Sequence, residues 1–219
     1  MHNLILNSLL YQIQTISLLK DSEKKTYSDD VKITLEQNVL NSIIYSDPYV
    51  KTVFFIKLID WLDLPIIYLD FDLLYSGYVT AKIIPKHDKL ELFQPTRDNW
   101  SDLFRGVCNY ISKHRSVLIL DSLNGFFSLF NDKKDVGMFV NSYIMLIAAI
   151  AKMTNSNVVV ASMAKREEQG WVLSTIGRQV IDAKNMSKIQ LERENSKIRM
   201  NVISSEDISY VIPIDFELR

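Results

Sequence analysis

The chain has 219 residues, 47% of them hydrophobic, and a net charge of −1 at pH 7. That supplies a real core for one α/β domain, with or without a small extension. The balanced charge excludes a global field for nucleic acid or anionic membrane, so nucleic-acid contact would need a local basic patch. The single cysteine, Cys108, excludes an intramolecular disulfide and fits a reducing cytoplasm.

Leu4 to Leu19 reads as a helix, with Leu6, Leu9, Leu10, Ile13 and Ile16 forming an apolar stripe. Asn3, Asn7, Gln12, Gln14 and Thr15 interrupt it. With no basic leading region and no small-residue cleavage site, it does not read as a signal peptide. Lys20 to Asp30 is charged and reads as a linker, so the division expected is 1–30 for helix and linker and 31–219 for the core domain. Val31 to Thr34 reads as a short strand and Ser42 to Tyr45 as a core strand. Lys51 to Leu62 reads as an amphipathic helix, stopped by Leu64-Pro65.

Ile66 to Asp70 has the short apolar pattern of a buried parallel strand. Tyr78 to Pro85 reads as strand or irregular, and Lys89 to Phe93 as another strand. Asp98 to His114 has helical spacing through Trp100, Leu103, Val107, Tyr110 and Ile111, and Asn99 or Ser101 could cap it. Ser116 to Asp121 is a strand ending in aspartate. Val136 to Thr154 is a long apolar helix expected to be buried on several sides; its most apolar part, Tyr143 to Ala151, is too short to span a bilayer. Asn157 to Ser162 is a buried strand, followed by a polar stretch from Met163 to Asn185. Lys188 to Glu192, Lys197 to Ile203 and Ser209 to Asp215 read as strands, the first two joined by a hairpin turn. Strands alternating with helices and then a meander predict a doubly wound, mainly parallel sheet with helices on both faces and an antiparallel C-terminal extension.

Three motifs carry chemistry. The first is Tyr45-Ser46-Asp47-Pro48-Tyr49-Val50-Lys51-Thr52, set between a strand and a helix. It has the length and the Lys-Thr end of the phosphate-binding pattern G-x-x-x-x-G-K-[ST], but Tyr45 and Val50 hold the glycine positions. A loop that wraps phosphates with its amides needs dihedrals that side chains disfavour, and Pro48 removes one donor. No glycine precedes Gly77 in the chain. The second is Val117-Leu118-Ile119-Leu120-Asp121-Ser122, a strand delivering a carboxylate suited to orienting magnesium. The third, Tyr68-Leu69-Asp70-Phe71-Asp72, ends a strand with two carboxylates, one of which could activate water. Taken singly, each of the last two reads more readily as an ordinary polar strand exit. No Cys and His cluster has zinc spacing; His2, His87 and His114 are scattered and expected at the surface.

The order of these motifs, then Val158-Val159-Val160-Ala161-Ser162, then the hairpin Lys188 to Arg193 and Lys197 to Met200, resembles the RecA/RadA family of P-loop ATPases. That family includes archaeal RadA paralogues and KaiC-like proteins. The resemblance covers roughly Val31 to Arg219. It implies a RecA-like core in which Lys51 meets phosphate, Thr52 and Asp121 meet magnesium, and Asp72 takes the place of a catalytic glutamate. The departures are the missing glycines, the shortened acid, and Ser162 or Met163 where a glutamine sensor is usual. In these the chain is similar to inactivated archaeal RecA-like proteins and the Elongator accessory subunits.

The expectation is therefore a non-catalytic subunit or modulator of an assembly, cytoplasmic, with DNA repair or recombination as the setting the resemblance implies. No cofactor is expected, and Lys51→Ala should then change stability little. The alternatives are a slow ATPase using ATP and magnesium through Lys51, Thr52, Asp121 and Asp72, and a single-stranded nucleic-acid binder. For the last, Lys165, Arg166, Trp171 and Arg178 lie where recombinases carry a DNA-facing loop, but Glu167 and Glu168 offset the charge and a solvated loop is the plainer reading. Lys133-Lys134 is equally cancelled by Asp132 and Asp135. The resemblance implies homo- or hetero-oligomerisation through the N-terminal stripe; the alternative is a helix packed on its own domain.

Overall fold

A computed structural model of the chain describes residues 28–167, 170–173, 186–203 and 208–213. The elements run α1 (28–36), β1 (Leu40–Tyr45), α2 (Pro48–Trp61), β2 (Ile66–Asp70), α3 (Leu74–Thr80), β3 (Leu90–Phe93) and α4 (Trp100–Ile111). Then follow β4 (Val117–Asp121), α5 (Leu123–Leu129), α6 (Val136–Met153), β5 (Asn157–Glu167), β6 (Gly170–Leu173), β7 (Met186–Glu194), β8 (Lys197–Ile203) and β9 (Ile208–Pro213).

One sheet has the order β3-β2-β4-β5-β1-β7-β8-β9, with β6 paired to the far end of β5. Pairings from β3 through β7 are parallel; β7–β8, β8–β9 and β5–β6 are antiparallel. The doubly wound sheet with an antiparallel meander is the architecture the sequence pattern predicts. The β7–β8 turn is tight, with Asn195 left-handed at φ 54° and Arg199 forked onto the Glu194 carboxylate at 2.7 and 3.2 Å.

Both faces of the central strands are apolar, so each strand divides its side chains between two cores. Ile66, Tyr68, Val117, Ile119, Val159 and Ala161 join the core containing α1 and α2. Ile67, Leu69, Leu118, Leu120, Val158 and Val160 join the core containing α4, α5 and α6. Helix α2 is buried without a break from Val50 to Ile59, because Ile198, Met200, Val202 and Ile212 of the meander enter the same core as the central strands. The amphipathic helix expected there is instead enclosed on nearly every side.

Further segments differ from the sequence reading, among them α6, expected to be buried on several sides. Residues 31–34 are helical rather than a strand: Val31 and Leu35 are buried one turn apart, and the Thr34 hydroxyl donates to the Asp30 carbonyl at 2.8 Å. Helix α1 thus runs through the boundary expected at residue 30. Tyr78 to Pro85 begins inside α3, whose Ser76 N–H and hydroxyl both donate to the Asp70 carboxylate. Helix α5 was not expected; the Ser122 hydroxyl caps it by accepting from Gly125 N–H at 3.3 Å, and Leu123, Phe126 and Phe127 form its buried face. Strand β5 continues to Glu167 and pairs antiparallel with β6, so 163–167 and 170–173 are strand rather than loop. Helix α6 is buried along one face only, through Val140, Asn141, Ile144, Ile147 and Ala151. It is long and apolar enough to cross a membrane by composition, but that face is committed to the sheet. Leu4 to Leu19 lies outside the described residues.

Gly125 is required by a close approach. A Cβ there would lie 2.5 Å from Asp72 Oδ1 and 2.7 Å from Phe71 Cβ. We expect Gly125→Ala to cost about 1–3 kcal/mol through overpacking. Gly77 and Gly106, exposed on α3 and α4 with nothing within 4 Å of an added Cβ, are the controls. Gly77→Ala and Gly106→Ala should stabilise by up to about 1 kcal/mol through helix propensity. Urea denaturation of the three variants checks both signs.

Candidate functional site

The site lies at the carboxyl ends of the parallel strands, where open α/β sheets place their crevices. β1 ends at Tyr45 and α2 begins at Pro48, leaving only Ser46 and Asp47 between them. The Asp47 carboxylate accepts from Tyr49 N–H at 2.9 Å and caps the helix, with Pro48 at the first helical position. The early start explains how Val50 is tolerated. Among the described residues, the positive-φ positions other than glycine are Leu73, Lys82, Asn155 and Asn195, so Val50 carries no left-handed strain and packs fully buried. The segment expected to be a loop is the first turn of a helix. Its amides are used accordingly, Lys51 N–H donating to the Asp47 carbonyl at 3.2 Å.

Strand β5 separates β1 from β4 in the sheet, and the Lys51 side chain reaches across its end. Lys51 Nζ donates to Asp121 Oδ1 at 2.6 Å and lies 3.6 Å from Asp72 Oδ2. Lys51 and Asp121 are each 1% exposed, whereas the Asp72 side chain is 32% exposed at the rim. The Tyr68 hydroxyl donates to Asp121 Oδ2 at 2.5 Å, so both carboxylate oxygens are engaged. The Tyr45 ring lies 5.1 Å from Lys51 Nζ.

Three of the residues singled out in the sequence, Lys51, Asp72 and Asp121, therefore converge. Thr52 does not join them; its hydroxyl donates to the Pro48 carbonyl of its own helix at 2.8 Å. Ser162, at the sensor position, is buried with no hydrogen-bond partner on its hydroxyl, and Met163 N–H donates to Asn124 Oδ1 at 3.1 Å. Lys165 is exposed on β5, and Arg166 pairs in register with Trp171 across the β5–β6 hairpin. Arg178 lies outside the described residues. Lys133 and Lys134 are exposed ahead of α6. Among the described residues no group of three or more His, Cys, Asp or Glu could hold a metal ion.

The ionisation of the site follows from its dryness. Burial is the largest influence on Asp121 and carries it up to about 6, against the pull of Lys51 and of the Tyr68 hydrogen bond. Burial opposes the Lys51 charge, but Asp121, Tyr45 and Asp72 together hold the ammonium above the ordinary lysine value. Burial raises Tyr45 to about 12, and Tyr68 also rises, first through burial and then through Asp121, so both phenols stay neutral donors. At pH 7 the centre is an ion pair braced by two tyrosines.

Sequence reasoning overlooked Tyr68, Asp47 and the role of Asp70. A tyrosine on a fully buried strand needs an acceptor for its hydroxyl, which pointed to the neighbouring aspartate strand. Asp70, in register with Asp121, accepts at Oδ2 from the N–H and hydroxyl of Ser76, each at 2.7 Å. It anchors the start of α3 rather than facing a ligand.

Comparison with solved structures finds this fold elsewhere. A crystal structure titled as that of the RadB recombinase matches with a TM-score of 0.52 over 81% of this chain and 88% of that one, at 11% identity. The fold is RecA-like. No family model matches the chain, and no curated protein matches it.

The buried pair reverses the expectation that Lys51 is dispensable. Lys51→Ala leaves the Asp121 carboxylate buried without its counter-ion, and should cost about 3–5 kcal/mol in guanidinium denaturation. Combining Lys51→Met with Asp121→Leu should recover most of that loss, a coupling that a double-mutant cycle reads directly. Asp121 also sets a pH dependence. Its folded pKa, about 6, stands above its ordinary 3.8. Between these values the folded state holds more protons than the unfolded state, so this contribution is full below 3.8 and lost as pH rises through 6. Relative to Asp121→Asn, the native protein should therefore gain roughly 2–3 kcal/mol of stability as pH falls from 7.5 to 4. Paired urea titrations across that range test the sign.

Proposed function

We propose that this chain is a non-catalytic RecA-like protein, a cytoplasmic subunit or modulator of an assembly that includes a protein partner or further copies of itself. The observation that carries this reading is the internal satisfaction of the nucleotide site. Lys51 is paired to Asp121 at 2.6 Å, Thr52 is bonded to Pro48, and the Asp47 carboxylate holds the helix N-terminus where phosphate charge would be placed. A triphosphate does not fit this arrangement. It would have to break a buried ion pair, displace a like-charged cap and recover amides already used by the helix.

A protein that keeps this fold without its phosphate loop keeps a rigid platform, and platforms of this kind serve recognition. The likeness to a recombinase supports recombination or repair as the setting.

Calorimetric titration of the full-length protein with ATP and magnesium tests the reading. We expect no saturable binding up to about 1 mM, equivalent to less than about 4 kcal/mol of affinity. Micromolar affinity, or turnover abolished by Asp72→Asn, would establish the slow-ATPase alternative instead.

A further inference from the structure

Helix α6 turns a second apolar face outward. Met138 is 71% exposed, Met145 40%, Leu146 49% and Met153 80%. Ser142, Ala149 and Lys152 are exposed among them. Positions 138, 142, 145, 149 and 152 alternate by four and three residues, on the side of the helix opposite Val140, Ile144, Ile147 and Ala151. A surface helix needs one apolar stripe, and α6 already has that one against the sheet. The outward alternation is instead the seam of a two-helix coiled coil. Lys152 is the charged residue of the helix and Asp135 directly precedes it. Among the described residues, neither side chain has an ion-pair partner.

We infer that this face is covered by α6 of a second copy of the chain, antiparallel to the first about a two-fold axis. The heptad extends back to Asp135, seven residues before Ser142. Layered in antiparallel register, Met138 meets Ala149 of the second copy, Ser142 meets Met145, and Asp135 meets Lys152, each contact occurring twice. Every layer is then complementary. A long thioether fills the space over a small residue, and the two unpaired charges find opposite partners. A parallel pairing would set Met145 on Met145, Ala149 on Ala149 and Lys152 on Lys152, which leaves a gap and a like-charge contact. Leu146 and Met153 flank the seam on one side. There a cleft of about 360 Å³, lined by Lys133, Lys134, Asp135, Met138, Phe139 and Ser142, receives Met153 of the second copy. The 18 residues of α6 give a contact about 27 Å long and about 10 Å wide. That stands at the low end of specific interfaces, so the dimer is a micromolar one. This names the partner within the reading above but does not use the nucleotide site. Helix α6 packs in the core on the opposite face of the sheet from α2, so ATP binding and dimerisation fail or succeed separately.

Disulfide trapping in the full-length chain tests both partner and direction. Two single-cysteine proteins are made in a Cys108→Ser background, one carrying Met138→Cys and the other Ala149→Cys. Both positions are exposed, so neither change disturbs the core. In the antiparallel register the two different thiols face each other, whereas each lies 11 residues of helix, about 16 Å, from its own counterpart, beyond disulfide reach. We expect oxidation of the mixture to give a dimer containing one chain of each kind, and each protein alone to stay uncross-linked. Cross-linking of either protein alone would assign another direction, and no cross-link in the mixture would assign the face to a different protein; either result overturns the inference. Sedimentation equilibrium supplies a measurement without cysteines. The native chain should pass from monomer toward dimer as its concentration rises to about 200 μM. Lys152→Glu should weaken association about tenfold, and adding Asp135→Lys to the same chain should restore it, because the swapped charges again meet across the axis. A native chain that is monomeric at about 200 μM, or a double variant that associates no better than Lys152→Glu alone, also overturns the inference.

Discussion

The Lys51–Asp121 ion pair is the constraint around which the rest of the site is arranged. A charge pair placed in a dry sheet end survives only if its remaining hydrogen-bonding capacity is met. Here the second carboxylate oxygen is met by Tyr68 and the ammonium is shielded by the Tyr45 ring. Each of those tyrosines is a core residue on a different strand. The pair therefore ties α2 to β4 across the end of β5, and ties both to β1 and β2, so three strands and a helix are registered to one another by two charges. Asp72, at the rim, sees the same ammonium from solvent and lends it a weaker, screened attraction.

A second carboxylate extends this bracing. Asp70, next to Asp121 in register, spends its Oδ2 on Ser76 and so fixes the entry of α3. Two acidic strand ends that lie side by side are thus given separate counter-partners, one a cation and one a helix start. Their division of roles keeps two buried carboxylates from competing for the same donor. Gly125 completes the arrangement from the other core, letting α5 approach the Phe71–Asp72 backbone more closely than any side chain would permit.

The fold was largely legible because its signals are additive over several residues. Runs such as Ile66 to Asp70 and Val117 to Asp121 can be little but buried strands, and the order of strand and helix then limits the topology. Short elements were not legible for the opposite reason. Residues 31–34 contain Val, Ile and Thr, which favour strands locally, yet one turn of spacing between Val31 and Leu35 against the core decided for helix. The site was half legible. Spacing and order identified Lys51, Asp72 and Asp121 as neighbours. No pattern in the sequence could say that Lys51 would be turned inward onto Asp121, since that depends on α2 beginning at Pro48 and on a tyrosine two residues before the end of β2. The extent of α6 exposure was hidden too, because an apolar helix reads the same whether its second face is covered or bare.

The position of β1 in the sheet has a consequence for how the molecule is made. β1 is flanked by β5 and β7, whose pairing residues run from Val158 to Met163 and from Met186 to Leu191. The first strand described in the chain therefore acquires neither neighbour until most of the chain has emerged from the ribosome. Until then α2, apolar through its length, has no sheet beneath it. Pairings this distant in sequence close slowly and leave hydrophobic surface uncovered during synthesis. A chain cut short before Met186 would leave the β7 edge of β1 unpaired and α2 without the meander that closes its core.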